Sequence, residues 1–576
     1  MGYRERYQEW LESPYFDEET KRELQGIGQD EKEMEERFYS DLAFGTGGLR
    51  GIIGAGINRM NKYTVRKATQ GLANFILTQG TQTQGVAIAY DSRRMSPEFA
   101  LEAALCLCAN GIKAYVFESL RPTPELSFAV RRLNCTAGIN VTASHNPPEY
   151  NGYKVYWADG AQITSPYDTG IMDEVKAVTD FANVKSMSLE DAKAAGLFQY
   201  IGQEIDDAYM EELKKQIKRQ DCIDVMGRDL KIVYTPLHGT GNIPARRILK
   251  EIGFENVYVV PEQELPDGNF PTVSYPNPEA AEAFALALEL AREKDADLVL
   301  ATDPDADRLG VYVKDTKTGT YRTLTGNMSG CLLADYEIGR WKEQMGLPAD
   351  GTLIKTIVTT NLADAVAQKY RVDLATVLTG FKFIGEQIKC FEDTGKGTYL
   401  FGFEESYGCL IGTHARDKDA IVAAMALCEA AAFYKMKNMT LWDAMIALYE
   451  ELGYYKDDII SITLKGLDGL EKIQEIMDTL RENTPEQAAD YTVQAVRDYK
   501  EGTIRRLDSG ETGPTGLPAS NVLYYELTDD AWFCVRPSGT EPKIKIYYGV
   551  RGENMEEADS RSEALGLALK ELVDRI

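Results

Sequence analysis

An α/β protein of several domains is predicted by three observations: apolar strand-like runs alternate with helix-like stretches, the alternation restarts twice, and a strand-rich segment closed by one helix follows residue 453. The first unit has strands at 86–90, 113–117 and 138–142, with a helical pattern at 99–110 between the first two. The second runs from a strand at 230–234 through a helix at 280–294 to strands at 297–301 and 309–313. The third has a strand at 353–358, a helix at 362–369 and a strand at 398–401. Strands at 459–464, 521–527 and 543–550 and a helix at 558–576 form a smaller α+β domain. Self-similarity among the units is weak, so the repetition is architectural. Residues 454–458 are the expected hinge, and 1–40, charged with intermittent aromatics, an amphipathic helical lead-in.

A chain of 576 residues holds roughly three to five domains. Its 44% hydrophobic and 27% charged residues are those of a globular protein. A formal net charge of -27 excludes nucleic acid and anionic membrane as general partners. An anionic small substrate then needs locally concentrated cations. The start, Met1-Gly2-Tyr3-Arg4-Glu5-Arg6, lacks the apolar core of a signal peptide, and no apolar run is long enough to span a membrane, so a cytoplasmic protein is expected. Nine cysteines without paired metal spacing read as buried, reduced thiols.

Four loops carry chemistry. Thr142-Ala143-Ser144-His145-Asn146-Pro147 follows a strand and bends at Asn-Pro, presenting Ser144 where α/β enzymes keep their reacting groups. Asp303-Pro304-Asp305-Ala306-Asp307-Arg308 lies between two strands; an extended loop would point its alternate carboxylates one way, a hard-oxygen set suited to Mg2+. It is not an EF-hand, whose glycine and final glutamate would be Arg308 and Lys314. Arg536-Pro537-Ser538-Gly539-Thr540-Glu541-Pro542-Lys543 offers guanidinium, hydroxyl and backbone donors to an anion. Gly402-Phe403-Glu404-Glu405-Ser406-Tyr407-Gly408 places carboxylates beside a hydroxyl, a set that suits sugar hydroxyls. In Gly45-Thr46-Gly47-Gly48-Leu49-Arg50-Gly51 a dinucleotide fingerprint fails at its sixth position, which is Arg50, and for want of a preceding buried strand; Arg50 reads as a phosphate ligand on a glycine-rich loop.

In this order the loops resemble the α-D-phosphohexomutase superfamily along the whole chain, most closely the bacterial phosphoglucomutase and phosphomannomutase group that also resembles eukaryotic phosphopentomutases. The resemblance implies three related α/β domains with mixed sheets and a fourth, TATA-binding-protein-like α+β domain around a central cleft. Its division would be 1–205 for the lead-in and phosphoserine domain, 206–325 for metal binding, 326–453 for sugar binding and 454–576 for phosphate binding. It also implies that Ser144 carries a phosphoryl group, and that Asp303, Asp305 and Asp307 hold Mg2+ together with an oxygen of that group. Glu404 and Ser406 would contact the sugar; Arg536, Ser538, Gly539, Thr540 and Lys543 the phosphate that is not reacting. Lys154 and Lys382 match positions of proton transfer or transition-state stabilisation, and Arg50, His145 and Arg308 complete the pocket. His238, in Leu237-His238-Gly239-Thr240-Gly241, is either catalytic or structural. Two departures stand out: Ala306 replaces a frequent glycine, and Tyr407-Gly408 replaces Gly-His, which favours glucose phosphates over mannose or glucosamine phosphates without excluding phosphopentoses.

The implied reaction interconverts glucose 1-phosphate and glucose 6-phosphate through phosphoserine and glucose 1,6-bisphosphate, which doubles as activator. The alternatives are a phosphomannomutase or phosphopentomutase, a serine-dependent phosphatase, or a noncatalytic sugar-phosphate sensor. Against a serine hydrolase, Ser144 lacks a G-x-S-x-G setting and three histidines leave few triad partners.

Overall fold

The computed structural model describes residues 2–45, 47–464, 466–538 and 543–576, the side chains of 466–468 and 470 excepted. The chain divides into two compact units, one of residues 1–323, 381–396 and 407–438, the other of 324–380, 397–406 and 439–576.

The first unit contains two sheets. Strands β1 (Gly48–Ile52), β2 (Val86–Tyr90), β3 (Ala114–Phe117), β4 (Ala137–Val141), β5 (Tyr150–Trp157) and β6 (Phe198–Ile201) pair in the order β1-β5-β4-β2-β3-β6. The β2, β3, β4 and β6 pairings are parallel, whereas β5 runs antiparallel to β4 and β1, so the sheet is mixed. Every residue of β4 is buried, as expected of a central strand covered on both faces. The second sheet, β7 (Lys231–Thr235), β8 (Asn256–Val259), β9 (Leu298–Thr302), β10 (Leu309–Asp315) and β11 (Thr320–Leu324), has the order β11-β10-β9-β7-β8.

The lead-in forms three helices, Tyr3–Glu12, Glu18–Gly26 and Glu31–Phe38. Their buried aromatics make a core of their own, where Trp10 stacks on Phe16 at 4.0 Å and meets Phe38 and Tyr63 edge-on. The helices Phe381–Thr394 and Ala420–Met436 also belong to this unit. Asp419 caps the second by accepting from the amides of Ile421 and Val422.

In the second unit, β12 (Gly351–Thr356), β13 (Asp373–Val377) and β14 (Thr398–Glu404) are parallel in the order β13-β12-β14. A short strand of the first unit, β15 (Gly408–Leu410), follows β14 in the chain. Beyond it, β16 (Tyr454–Thr463), β17 (Gln487–Ala488), β18 (Tyr491–Asp498), β19 (Thr503–Arg506), β20 (Thr512–Pro514), β21 (Leu523–Leu527), β22 (Trp532–Pro537) and β23 (Lys543–Gly552) form an antiparallel sheet. The helices Gly466–Glu482 and Met555–Asp574 accompany it, so this part is α+β.

The expected hinge is corrected here. Residues 454–458 are the first half of β16 and pair with β23 from Tyr454↔Gly552 to Asp458↔Tyr548. Their aromatic and charged residues suit a strand with one solvated face, and the absence of Gly and Ser was the warning.

Candidate active site

Ser144 lies three residues beyond the end of β4, with φ at 52° in the left-handed region. A serine held there stores about 1–3 kcal/mol of strain that its surroundings must offset. Arg93 does so: its guanidinium donates to the carbonyls of Ser144 (2.6 Å), Asn146, Pro147 (2.8 Å) and Tyr150 (3.1 Å). Asp91 receives Thr142 Oγ1 at 2.6 Å, and that same oxygen accepts the Ser144 amide at 2.8 Å. β5 comes close alongside: a Cβ on Gly152 would sit 2.4 Å from the Thr142 carbonyl oxygen, so only glycine fits. The outcome is a buried Ser144 hydroxyl donating to Asp303 Oδ2 at 2.7 Å, with His145 Nδ1 at 3.2 Å.

Asp303, Asp305 and Asp307 are all buried, and one ligand atom from each lies within 4.8 Å of the others. The loop is not extended as expected; it turns, with Ala306 N donating to the Asp303 carbonyl at 2.9 Å and Ala306 at φ 49°, a value that favours glycine. Asp303 organises the turn, its Oδ1 accepting the amides of Asp307 and Arg308 at 3.1 Å each. Thr123 Oγ1 and Lys154 Nζ hold Asp305 Oδ2 at 2.7 and 2.8 Å. Lys418 Nζ holds Asp307 Oδ2 at 3.2 Å. That leaves Asp305 Oδ1 and Asp307 Oδ1 buried with no hydrogen-bond partner among the described residues. Such partnerless carboxylate oxygens within a hard-donor set fit a divalent cation.

The charges are strongly perturbed. Burial, with the carboxylates of Asp305 and Asp307 beside it, pushes Asp303 well above the usual carboxylate range. Burial opposes ionisation of Asp305 too, but Lys154 and the hydrogen bonds from Asp303 and Thr123 outweigh it and hold this carboxyl far down. Lys154 is raised despite burial because Asp305 and Asp307 face it, so it is an ammonium. Burial, then Arg308 and Arg50, depress His145 well below 6.5, leaving a neutral imidazole. Arg308 pairs with Glu279.

Arg50 lies on β1, opposite Gly152, rather than on the glycine-rich loop, and its Nη1 donates to Asn146 Oδ1 at 3.3 Å. A strand position fixes its direction better than a loop would. Lys382 is the second residue of the helix Phe381–Thr394, and burial lowers its proton affinity against the opposing pull of Asp168 and Glu386. His238 is engaged on both ring nitrogens, by the Leu265 carbonyl at 3.1 Å and Thr272 Oγ1 at 3.0 Å, while nearby Thr240 N donates to the Pro304 carbonyl at 2.8 Å. The structure thus gives His238 a supporting place beneath the acidic loop.

Glu404, Ser406, Arg536, Ser538 and Lys543 belong to the second unit. Glu404 is buried at the end of β14 and accepts the Gly380 amide at 2.9 Å. Ser406 follows it, half-buried. Arg536 is on β22 opposite Lys545 of β23, and the Ser538 amide donates to the Lys543 carbonyl at 2.7 Å. Gly539 and Thr540 lie outside the described residues.

Sequence reasoning missed Asp91, Arg93, Thr123, Asp417 and Lys418. A signal existed for the first pair: charged residues immediately after the apolar strand β2 have no reason to be buried unless they are used. A signal also existed for Asp417 and Lys418, the middle of the charged run Arg416-Asp417-Lys418-Asp419 before the apolar helix Ala420–Met436.

Family profiles match in four stretches: phosphoglucomutase/phosphomannomutase alpha/beta/alpha domain I at 41–181, domain II at 207–319, domain III at 325–452 and the C-terminal domain at 483–564. A phosphoglucomutase of Staphylococcus aureus is 37% identical over 538 residues, covering 93% of this chain and 94% of that one. One of Staphylococcus saprophyticus is 36% identical over 539 residues, covering 93% and 95%. Among solved structures, a phosphoglucomutase/phosphomannomutase family protein of Burkholderia thailandensis shares the fold at TM-score 0.65 and 22% identity, covering 92% of this chain and 98% of that one. Parafusin, a phosphoglucomutase of Paramecium, does so at TM-score 0.68 and 18% identity, covering 93% and 95%. With profiles spanning most of its length and relatives above a third identical, the chain belongs to the phosphoglucomutase/phosphomannomutase family and is a phosphohexomutase enzyme of the isomerase class.

Proposed function

We propose that the chain acts as a phosphoglucomutase, interconverting glucose 1-phosphate and glucose 6-phosphate through a phosphoserine at Ser144 and a glucose 1,6-bisphosphate intermediate. The observation that carries this is the Ser144 hydroxyl, 2.7 Å from Asp303 at the edge of three buried carboxylates. Asp303, Asp305 and Asp307, with an oxygen of the Ser144 phosphoryl group, would hold Mg2+. The chemistry the ion supplies there is neutralisation of charge on the phosphoryl group in transfer.

In the forward half, the bond between Ser144 Oγ and phosphorus breaks as the free sugar hydroxyl bonds to that phosphorus. The hydroxyl proton passes to a base, and the bisphosphate then returns its other phosphoryl group to Ser144 Oγ. Lys382, its proton affinity lowered by burial, suits acceptance and return of that proton. Lys154, Arg50 and Arg308 offset phosphoryl charge; Ser144 Oγ takes up a proton as its phosphoryl group leaves, and neutral His145 can accept that proton when a phosphoryl group returns to Oγ. Glu404 and Ser406 are assigned to the sugar hydroxyls, and Arg536, Ser538, Gly539, Thr540 and Lys543 to the spectator phosphate. The four segments proposed to share this work are 1–205, 206–325, 326–453 and 454–576. A cytoplasmic setting goes with this reading, since all nine cysteines are free thiols.

Glucose is the proposed sugar because curated relatives at 36–37% identity are phosphoglucomutases and because the sugar loop continues Tyr407-Gly408. The test is a coupled mutase assay across glucose, mannose, glucosamine and pentose monophosphates, with and without bisphosphate. Fastest turnover of glucose phosphate, stimulated by glucose 1,6-bisphosphate, is expected. A higher kcat/KM for mannose or pentose phosphate overturns the sugar assignment; phosphate release without isomer formation makes the protein a phosphatase, and binding without turnover makes it a sensor.

A further inference from the structure

Lys418 stands in the residue pair before the helix Ala420–Met436, 111 positions along the chain from the acidic loop it touches. Its ammonium lies 3.2 Å from Asp307 Oδ2 and 3.1 Å from Asp417 Oδ1, and 5.6 Å from the centre of the Phe381 ring. Only 12% of the side chain is exposed. The path that brings it there is built: a Cβ on Gly408 would fall 2.0 Å from Lys418 Cδ, so the lysine stem runs across the bare backbone of β15. The flanking residues are fixed as well. Asp417 Oδ2 accepts Tyr156 OH at 2.8 Å, and Asp419 accepts Tyr209 OH and pairs with His414 Nε2, each at 2.8 Å.

Four carboxylates are buried together here: Asp303, Asp305, Asp307 and Asp417. Lys154 meets Asp305 and, at 3.6 Å, Asp307. Lys418 therefore takes the same Asp307 oxygen that Lys154 approaches, while Asp307 Oδ1 keeps no hydrogen-bond partner among the described residues. Buried carboxylates without counter-charge are strongly destabilising. A cation that supplies the counter-charge must also repel any second cation that arrives.

We propose that Lys418 is a positioning residue that serves as the resident counter-cation of the acidic centre, steadying Asp307 before a divalent ion binds and weakening the hold on that ion so that it exchanges. This rests on the reading of Asp303, Asp305 and Asp307 as the ion's ligands. A residue that merely packed the loop would, on removal, leave ion affinity unchanged or lower it, as losing an outer hydrogen-bond partner of a metal ligand ordinarily does. A counter-cation acts in the opposite direction. Its removal strips repulsion from the site and tightens the ion.

The test compares the full-length protein with Lys418→Met, which keeps the length of the side chain and loses its charge, and Lys418→Gln, which keeps a donor for Asp307. Mn2+ is the probe, titrated while free Mn2+ is followed by electron paramagnetic resonance; melting is recorded with and without Mg2+. Both variants are expected to melt lower than the parent without ion, to recover with Mg2+, and to bind Mn2+ at least about tenfold more tightly. Unchanged or weaker Mn2+ binding in either folded variant overturns the inference, as does failure of both to fold in Mg2+, because the ion should then replace the lysine. Asp305→Ala separates the two readings. If the unaltered protein shows no Mn2+ binding that Asp305→Ala removes, the ligand assignment falls and the inference with it; if that binding is present and Lys418 does not set it, the inference falls alone.

Discussion

Ser144 holds its hydroxyl on a left-handed backbone, and four carbonyls gathered by one buried guanidinium keep it there. Loss of the hydroxyl removes the atom proposed to carry phosphate and little else. Ser144→Ala is therefore expected to fold, to melt within a few degrees of the parent, and to lose mutase turnover by about 10^3-fold or more; phosphorylation mapping and the coupled assay check both. The acidic cluster makes the companion prediction. Chelation of divalent ions should stop turnover and Mg2+ restore it, while Asp305→Ala should lose at least about 10^2-fold in kcat/KM that no Mg2+ concentration recovers. Undiminished activity in that variant would refute the ligand role. As candidates, Ser144 and the three aspartates stood out in the sequence because each sits in a compact run whose residue types have few other uses. Arg93 was marked only as a charge beside the apolar strand β2 and Thr123 not at all, and neither partner could be read, because the contacts are made 51 and 182 residues away. Nothing in a linear sequence marks those distances.

At the scale of elements, the helix Thr123–Arg132 links the acidic loop to a second buried acid. Its first residue holds Asp305, and two positions on Glu125 is fully buried. Burial, then the neighbouring Asp206, raises the Glu125 carboxyl well above 4.5, while Asp206 is held low by the paired Arg121. The folded state thus keeps a proton on Glu125 that the unfolded chain gives up. That contribution to stability is present below the unfolded value near 4.5 and is lost as pH rises towards the raised folded value. Glu125→Gln imitates the protonated form, so its melting advantage over the parent should grow from pH 5 to pH 8; a constant difference across that range would contradict the assignment. Strands and helices were legible at this scale, since apolar runs such as those of β2, β4 and β9 leave no alternative to burial on both faces. Loop shape was not. The spacing of Asp303, Asp305 and Asp307 suggested an extended segment, yet the loop curls around the Asp303 carboxylate, because two amides find their acceptor there. The same limit hid Arg50 in β1, whose pairing with β5 is a long-range event.

For the whole molecule, the proposed work is divided between side chains far apart in sequence, with Ser144 and the acidic loop in one unit and Arg536 on β22 of the other. A mutase of this kind must accept its substrate in two orientations, since the phosphate that is spectator in one half-reaction is the reacting group in the other. One phosphate grip that serves both orientations has a kinetic signature. Arg536→Ala should raise KM for glucose 1-phosphate and glucose 6-phosphate together, each by about tenfold or more, because a charge-assisted bidentate contact contributes to either complex equally. Ser144 in that variant should still take phosphate from glucose 1,6-bisphosphate supplied in excess, since neither its backbone support nor the acidic loop involves β22. Steady-state kinetics in both directions, with phosphoserine detected by intact mass, measure the two parts separately. An effect on one monophosphate alone would assign Arg536 to a single orientation, and unchanged KM for both would remove it from the phosphate site.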